Sequence, residues 1–282
     1  MILVVGANGM LGRDLLEVLV GNVRGVDLEE IDISSMESVR KVLLTLKPEA
    51  VINAAAYTDV DGCEEKRELA VMVNGEAVAH LALTCREIGA KLIQVSTDYV
   101  FDGRKGTPYL EDDPTGPLSV YGESKLAGEL NARLAGDYLI VRTQWLYGLH
   151  GKNFVETMLR LATEKDELAV VDDQIGSPTW TIDLSHAIRS LLDKGRQGVY
   201  HAASDGFCSW NEFARAIFTE VGNSVRVTPL STTELGRPAP RPLYSVLNCG
   251  KLARDTGFQP RPWREALKAY LKTRKENPDQ TK

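Results

Sequence analysis

The chain has 282 residues, of which 43% are hydrophobic and 26% charged, and a formal net charge of −6. These values exclude a disordered or fibrous chain, and the singly scattered Lys and Arg residues form no basic stripe of the kind a nucleic-acid polymer requires. The length suits one large α/β unit with an added lobe.

Ile2–Val5 reads as a strand and residues 11–20 as a helix. Residues 23–27 read as a second strand and residues 35–46 as a helix, with Ser34 placed to cap it. Ala50–Asn53 reads as a third strand, followed by a helical pattern over 69–88 and a fourth strand over 91–95. A helix over 119–135 and a strand over 138–142 complete the series. Continuous apolar strands alternating with helices indicate an α/β fold, a Rossmann-like doubly wound parallel sheet covered on both faces. After residue 143 the rhythm loosens. Prolines stand at Pro178, Pro229, Pro238, Pro240, Pro242, Pro260 and Pro262, and helical patterns at 154–163, 182–192, 211–221 and 263–272. We read residues 1–143 as a dinucleotide-binding domain whose sheet is completed by later segments. Residues 144–282 read mainly as a smaller C-terminal α/β lobe for substrate, and the tail after Lys275 as frayed.

Cys63, Cys85, Cys208 and Cys249 lie far apart without a Cys-x-x-Cys pair, so neither a zinc site nor a disulfide framework is expected, and no metal is assigned. They read as small buried hydrophobes. The apolar start lacks a basic flank and a cleavage site, and no apolar run reaches about 18 residues, so neither a signal peptide nor a membrane partner is expected. The expected location is the cytoplasm.

Residues 6–12, Gly-Ala-Asn-Gly-Met-Leu-Gly, join the first strand to the first helix. Glycines at such a turn let the backbone approach a pyrophosphate that then rests on the helix N-terminus. The spacing is G-x-x-G-x-x-G, and alone it is equally a plain glycine turn. Its place at the opening of a βαβ unit makes Gly6, Gly9, Met10, Leu11 and Gly12 candidates for cofactor binding. Asp27 ends the second strand, where a carboxylate would bond the adenosine ribose and repel a 2′-phosphate, which favours NADH over NADPH. Asp32 and Ile33 are placed to border the adenine, although Asp32 serves equally well as a carboxylate at a helix start. Ala54, Ala55, Ala56 and Tyr57 end the third strand at the same edge, where small side chains let a cofactor lie against the backbone.

Tyr121 and Lys125 stand four apart on one helix face. A phenol with a pKa of about 10 is a poor acid or base near neutrality. An adjacent ammonium favours the phenolate, and at ~4 Å with an effective dielectric near ~20 it would do so by about 4 kcal/mol. Lys125 could also bond the nicotinamide ribose. Alone the pair is no better than an ordinary surface pair. Ser96, Thr97 and Asp98 change that by following the fourth strand at the edge where ligands bind, and Thr97 can polarise a carbonyl. Asn74, within the long third helix, reads equally well as a polar residue on a solvated face.

With these residues in place, the chain resembles the extended short-chain dehydrogenase/reductases and, within them, the dTDP-4-dehydrorhamnose reductase family, over nearly its whole length. The resemblance is carried by residues 6–12, 53–59, 96–103 and 121–125, then 142–148, 151–154 and 171–179, with Arg241-Pro242 and residues 263–267. It implies reduction of the C4 ketone of dTDP-4-dehydro-β-L-rhamnose to dTDP-β-L-rhamnose. In the implied roles Tyr121 donates the proton, Lys125 tunes it and holds the ribose, and Thr97 polarises the ketone. Thr97, Asp98 and Trp145 would touch the sugar, Trp145 packing on its apolar face unless it is a core aromatic. The family leans to NADPH, whereas Asp27 leans to NADH. The resemblance also admits a homodimer, in some members bridged by magnesium, for which no acidic set is assigned here. Two other readings stay open: another nucleotide-sugar reductase or epimerase of the extended family, and a non-catalytic regulatory subunit of methionine adenosyltransferase.

Overall fold

The computed structural model describes residues 1–277. Of the tail expected to fray after Lys275, residues from 278 onward lie outside the described residues.

Six strands form one wholly parallel sheet: β1 (Ile2–Val5), β2 (Val23–Val26), β3 (Ala50–Asn53), β4 (Lys91–Thr97), β5 (Tyr138–Thr143) and β6 (Gly198–His201), in the order β2-β1-β3-β4-β5-β6. The order reverses at β1, which pairs with both β2 and β3. A crevice therefore opens beyond the carboxyl ends of these strands, the place where doubly wound sheets bind ligands. β4 runs two residues further than the sequence suggests, so Thr97 is still in the ladder and pairs in register with Thr143.

Alternation along the strands sends side chains to both faces. Leu3, Val5 and Val51 pack under α2 (Met36–Leu46) and the helix Ala77–Ile88, while Val4, Ile52 and Ile93 pack under α1 (Met10–Val18) and the helix Thr181–Asp193. The sixth strand and the helix before it come from the second half of the chain. A separate core of Tyr147, Phe213, Trp263 and Tyr270 fills the lobe built from later residues.

Two local expectations are corrected. Ser35, not Ser34, caps α2, its hydroxyl accepting from Ser38 N, because Ser34 is held in a turn by the Asp32 carboxylate through both its N–H and its hydroxyl. The helix expected over 69–88 is instead a short helix Arg67–Val71, a π-turn Met72–Glu76 and the helix Ala77–Ile88. The π-turn rotates Asn74 inward, where it is 1% exposed rather than solvated. Cys63, Cys85 and Cys208 are buried free thiols, and Cys249 is half-buried. Among the described residues no helix is long and apolar enough to cross a membrane.

Candidate active site

The glycine turn sits at the switch point. Gly6 has φ +80°, and a Cβ there would come within 2.7 Å of Ala55 N. Glycine is therefore required both by the dihedral and by the approach of the β3 end. A Cβ on Gly12 would overlap the Gly6 carbonyl oxygen, so α1 can start this close to the strand only with glycine. Asp27 closes the turn from β2: its carboxylate accepts Asn8 N and Leu28 N, each at 2.8 Å.

Two neighbouring clefts run along the sheet edge and share Gly9, Ala54 and Ala56, which makes them one groove. The adenine end, about 500 Å³, is lined by Gly6, Asp27, Asp32, Ile33, Ala55 and Tyr57. No Lys or Arg among the described residues lines it. The other end, about 610 Å³, is lined by Met10, Leu11 and Gly12 together with Thr97, Asp98, Tyr121, Lys125 and Trp145. The sequence-derived candidates thus gather along one groove, although Asp32 spends its carboxylate on the Ser34 turn.

Tyr121 and Lys125 lie on α3 (Val120–Ala132), the helix that Ser119 caps by accepting from Gly122 N. The helix is locked against β4 and β5 from its buried side. Lys125 Nζ donates to the Val95 carbonyl oxygen at 2.7 Å. One turn on, Glu129 accepts Arg142 through two bonds, at 2.8 and 2.7 Å, and the Ser96 hydroxyl at 2.6 Å. From the other side Asn74 reaches across, its amide nitrogen donating to Ser124 Oγ and Tyr57 O while its oxygen accepts Tyr57 N. The π-turn therefore fastens both α3 and the Ala54–Tyr57 edge, a structural use for a residue that the sequence left undecided.

Burial pushes the Tyr121 phenol well above its ordinary value, with the Asp98 charge adding to the rise and the Thr97 hydroxyl opposing it. Lys125 is not among the groups that set this shift, so the expected lowering by its ammonium is not met; desolvation is the largest cause. The phenol stays protonated at neutral pH, as a proton donor must. Burial also lowers Lys125 from 10.5 to about 8, against the pull of Glu129. Asp98, fully enclosed beside Thr97 and Ser245, is raised by burial to about 6.

Trp145 is one of two non-glycine residues with positive φ among the described residues, at 49°. Strain of that kind at a cleft wall is a pointer to function. Its ring lies parallel to Trp210 with centroids 3.6 Å apart, so one face is already covered. Trp210, His150, Lys152, Thr143 and Gln144 also line the cleft. The sequence singled out none of these by role; Thr143 and Gln144 inside the 142–148 segment and Lys152 inside 151–154 offered the signal, while His150 and Trp210 offered none.

The two joined clefts, about 500 and 610 Å³, follow the sheet edge past the glycine turn, which gives a dinucleotide backbone to lie on. The family model described as RmlD substrate binding domain matches residues 1–276. The spore coat polysaccharide biosynthesis protein SpsK of Bacillus subtilis is 44% identical over 97% of this chain and 97% of its own length. A crystal structure of a dTDP-4-dehydrorhamnose reductase from Clostridium acetobutylicum superposes with a TM-score of 0.95 at 44% identity, covering 97% of this chain and 99% of that one. The dTDP-4-dehydrorhamnose reductase of Bacillus anthracis, solved in complex with NADP, gives 0.94 at 40% identity, over 96% and 98%.

Proposed function

This chain belongs to the dTDP-4-dehydrorhamnose reductases of the RmlD substrate binding domain family, and from that membership we propose that it reduces the C4 ketone of dTDP-4-dehydro-β-L-rhamnose to dTDP-β-L-rhamnose with NADH or NADPH. The single observation that carries the chemistry is that Thr97, Tyr121 and Lys125 line one cleft together with Gly9 and Gly12 of the glycine turn.

The bound reduced nicotinamide supplies the hydride. The protein supplies the rest. Thr97, whose hydroxyl proton rests on Asp98 Oδ1 in the free site, turns it to the C4 oxygen and polarises the carbonyl. Tyr121, kept protonated by burial, gives its proton to that oxygen as the C–H bond forms. Lys125 is charged at neutral pH and stabilises the phenolate left behind, while its place at the cleft suits a bond to the nicotinamide ribose. The Gly6, Gly9 and Gly12 turn receives the pyrophosphate at the start of α1. Trp145 and Asp98 face the sugar.

For the cofactor, we propose a preference for NADH. Asp27 and Asp32 border the adenine end without a cation to receive a 2′-phosphate. The intact catalytic set argues against a purely regulatory subunit.

The test is stoichiometry. Reduction predicts one NAD(P)H oxidised for each keto-sugar consumed, followed at the reduced-cofactor absorbance band. Sugar conversion with a flat absorbance would replace this reading with an epimerase.

A further inference from the structure

β4 and β5 run side by side with Thr97 opposite Thr143. The next residues, Asp98 and Gln144, therefore leave adjacent strands at the same edge. They are 1% and 2% exposed and line the cleft that holds Thr97, Tyr121 and Lys125.

Each has only part of its bonding capacity met. Asp98 Oδ1 accepts the Thr97 hydroxyl at 2.9 Å, and Gln144 Oε1 accepts the Ser245 hydroxyl at 3.5 Å. Ser245 also contacts the Asp98 carboxyl, so it stands between the two side chains. Asp98 Oδ2 and Gln144 Nε2 have no partner among the described residues. Buried polar atoms without partners are rare in native proteins because each forfeits its hydration. Here one is an acceptor and one a donor, both lining the cleft at the ends of adjacent strands. A hydroxyl, which accepts one bond and donates another, satisfies both.

We propose that Gln144 and Asp98 together bind the hydroxyl next to the ketone of the substrate, Gln144 donating to its oxygen and Asp98 accepting its proton. This rests on the reductase reading above. Thr97 fixes the position, because its hydroxyl, which Asp98 Oδ1 accepts in the free site, places the carboxylate beside the group that meets the C4 oxygen. The hydroxyl-bearing neighbour of C4 is C3, since C5 carries the ring oxygen and the methyl group. A site that hydrogen-bonds a hydroxyl discriminates strongly against the analogue lacking it, since the protein groups are then left unpaired.

The experiment compares kcat/KM for dTDP-4-dehydrorhamnose and its 3-deoxy analogue in the wild type and in Gln144→Met, which keeps the length of the side chain and removes its N–H donors. NADH binding is followed by fluorescence titration. The expected result is a loss of about tenfold to a hundredfold on the hydroxylated sugar, a change within about twofold on the 3-deoxy sugar, and an unaltered NADH affinity. Equal losses on both sugars, or no loss on either, would overturn the proposal. Gln144→Ala, which only opens space at the cleft, is read the same way should Gln144→Met fail to fold. A wild type that does not reduce the keto-sugar removes the reductase reading and this one with it; a wild type that reduces it with Gln144 indifferent removes this one alone.

Discussion

Lys125 Nζ donates to the Val95 carbonyl oxygen at 2.7 Å, so the lysine of α3 is fastened to β4 rather than to the tyrosine one turn before it. Its charge is held at the cleft from behind, by a strand carbonyl and by Glu129 a turn further on. The pair therefore works as two separately positioned groups, and the two respond differently to pH and to mutation.

Lys125 sets an alkaline limit. Lowered by burial to about 8, it loses its proton well before an ordinary lysine. The profile of kcat/KM, which reports the free enzyme, should fall above about pH 8. Lys125→Arg should move that limb upward by more than about one unit, since guanidinium keeps its charge. The same group affects stability in a known direction. Between about 8 and 10.5 the unfolded chain binds more protons here than the folded one, so this contribution makes the fold more stable as pH rises through that window. An unmoved limb in Lys125→Arg would detach the limit from this residue.

Tyr121→Phe removes the proposed proton donor and leaves the ring in place beside Tyr99, its edge-to-face neighbour at 5.4 Å. Turnover should fall by about 10²–10⁴, the usual worth of a positioned general acid, while NADH affinity stays within about twofold. Steady-state rates and a cofactor titration decide it.

Glu129→Gln breaks a buried ion pair in which Arg142 and Glu129 are 4% and 1% exposed. Leaving Arg142 with an uncompensated charge should cost about 3–5 kcal/mol, seen as a lower denaturant midpoint. Glu129 also raises Lys125 by charge, so the alkaline limb should move down in the same variant. A purely structural loss would leave that limb where it was.

Asp27→Ala should raise the NADPH-to-NADH ratio of kcat/KM by about tenfold or more, by removing a carboxylate from the ribose end of the groove. Because Asp27 also accepts Asn8 N and Leu28 N, the variant should bind both cofactors less tightly in absolute terms. An unchanged ratio would mean that Asp27 shapes the turn without reading the ribose.

Much of this site was legible in the sequence because it is local. A glycine turn, a strand-end Thr97 and a Tyr121–Lys125 spacing are written in consecutive or near-consecutive residues. What was not legible depends on distant parts of the chain. β6 joins the sheet from residues 198–201, and no local pattern says which sheet a short apolar run will enter. Asn74 passes through a smooth helical periodicity that hides the π-turn rotating it inward. The direction of the Tyr121 shift depends on how completely the fold encloses it, and the Trp145–Trp210 stack joins residues from separate parts of the second half. Gln144 carries no charge, and its place in the 142–148 segment gives it no role; its unpaired amide is visible only once Ser245 and Asp98 stand beside it.

The most direct measurement of the central claim uses NADH carrying deuterium at its transferable position, with dTDP-4-dehydrorhamnose as acceptor. The account predicts one deuterium at C4 of the product sugar for each NADH oxidised, read by mass and NMR. Product lacking deuterium at C4, or sugar conversion without net NADH oxidation, would contradict it.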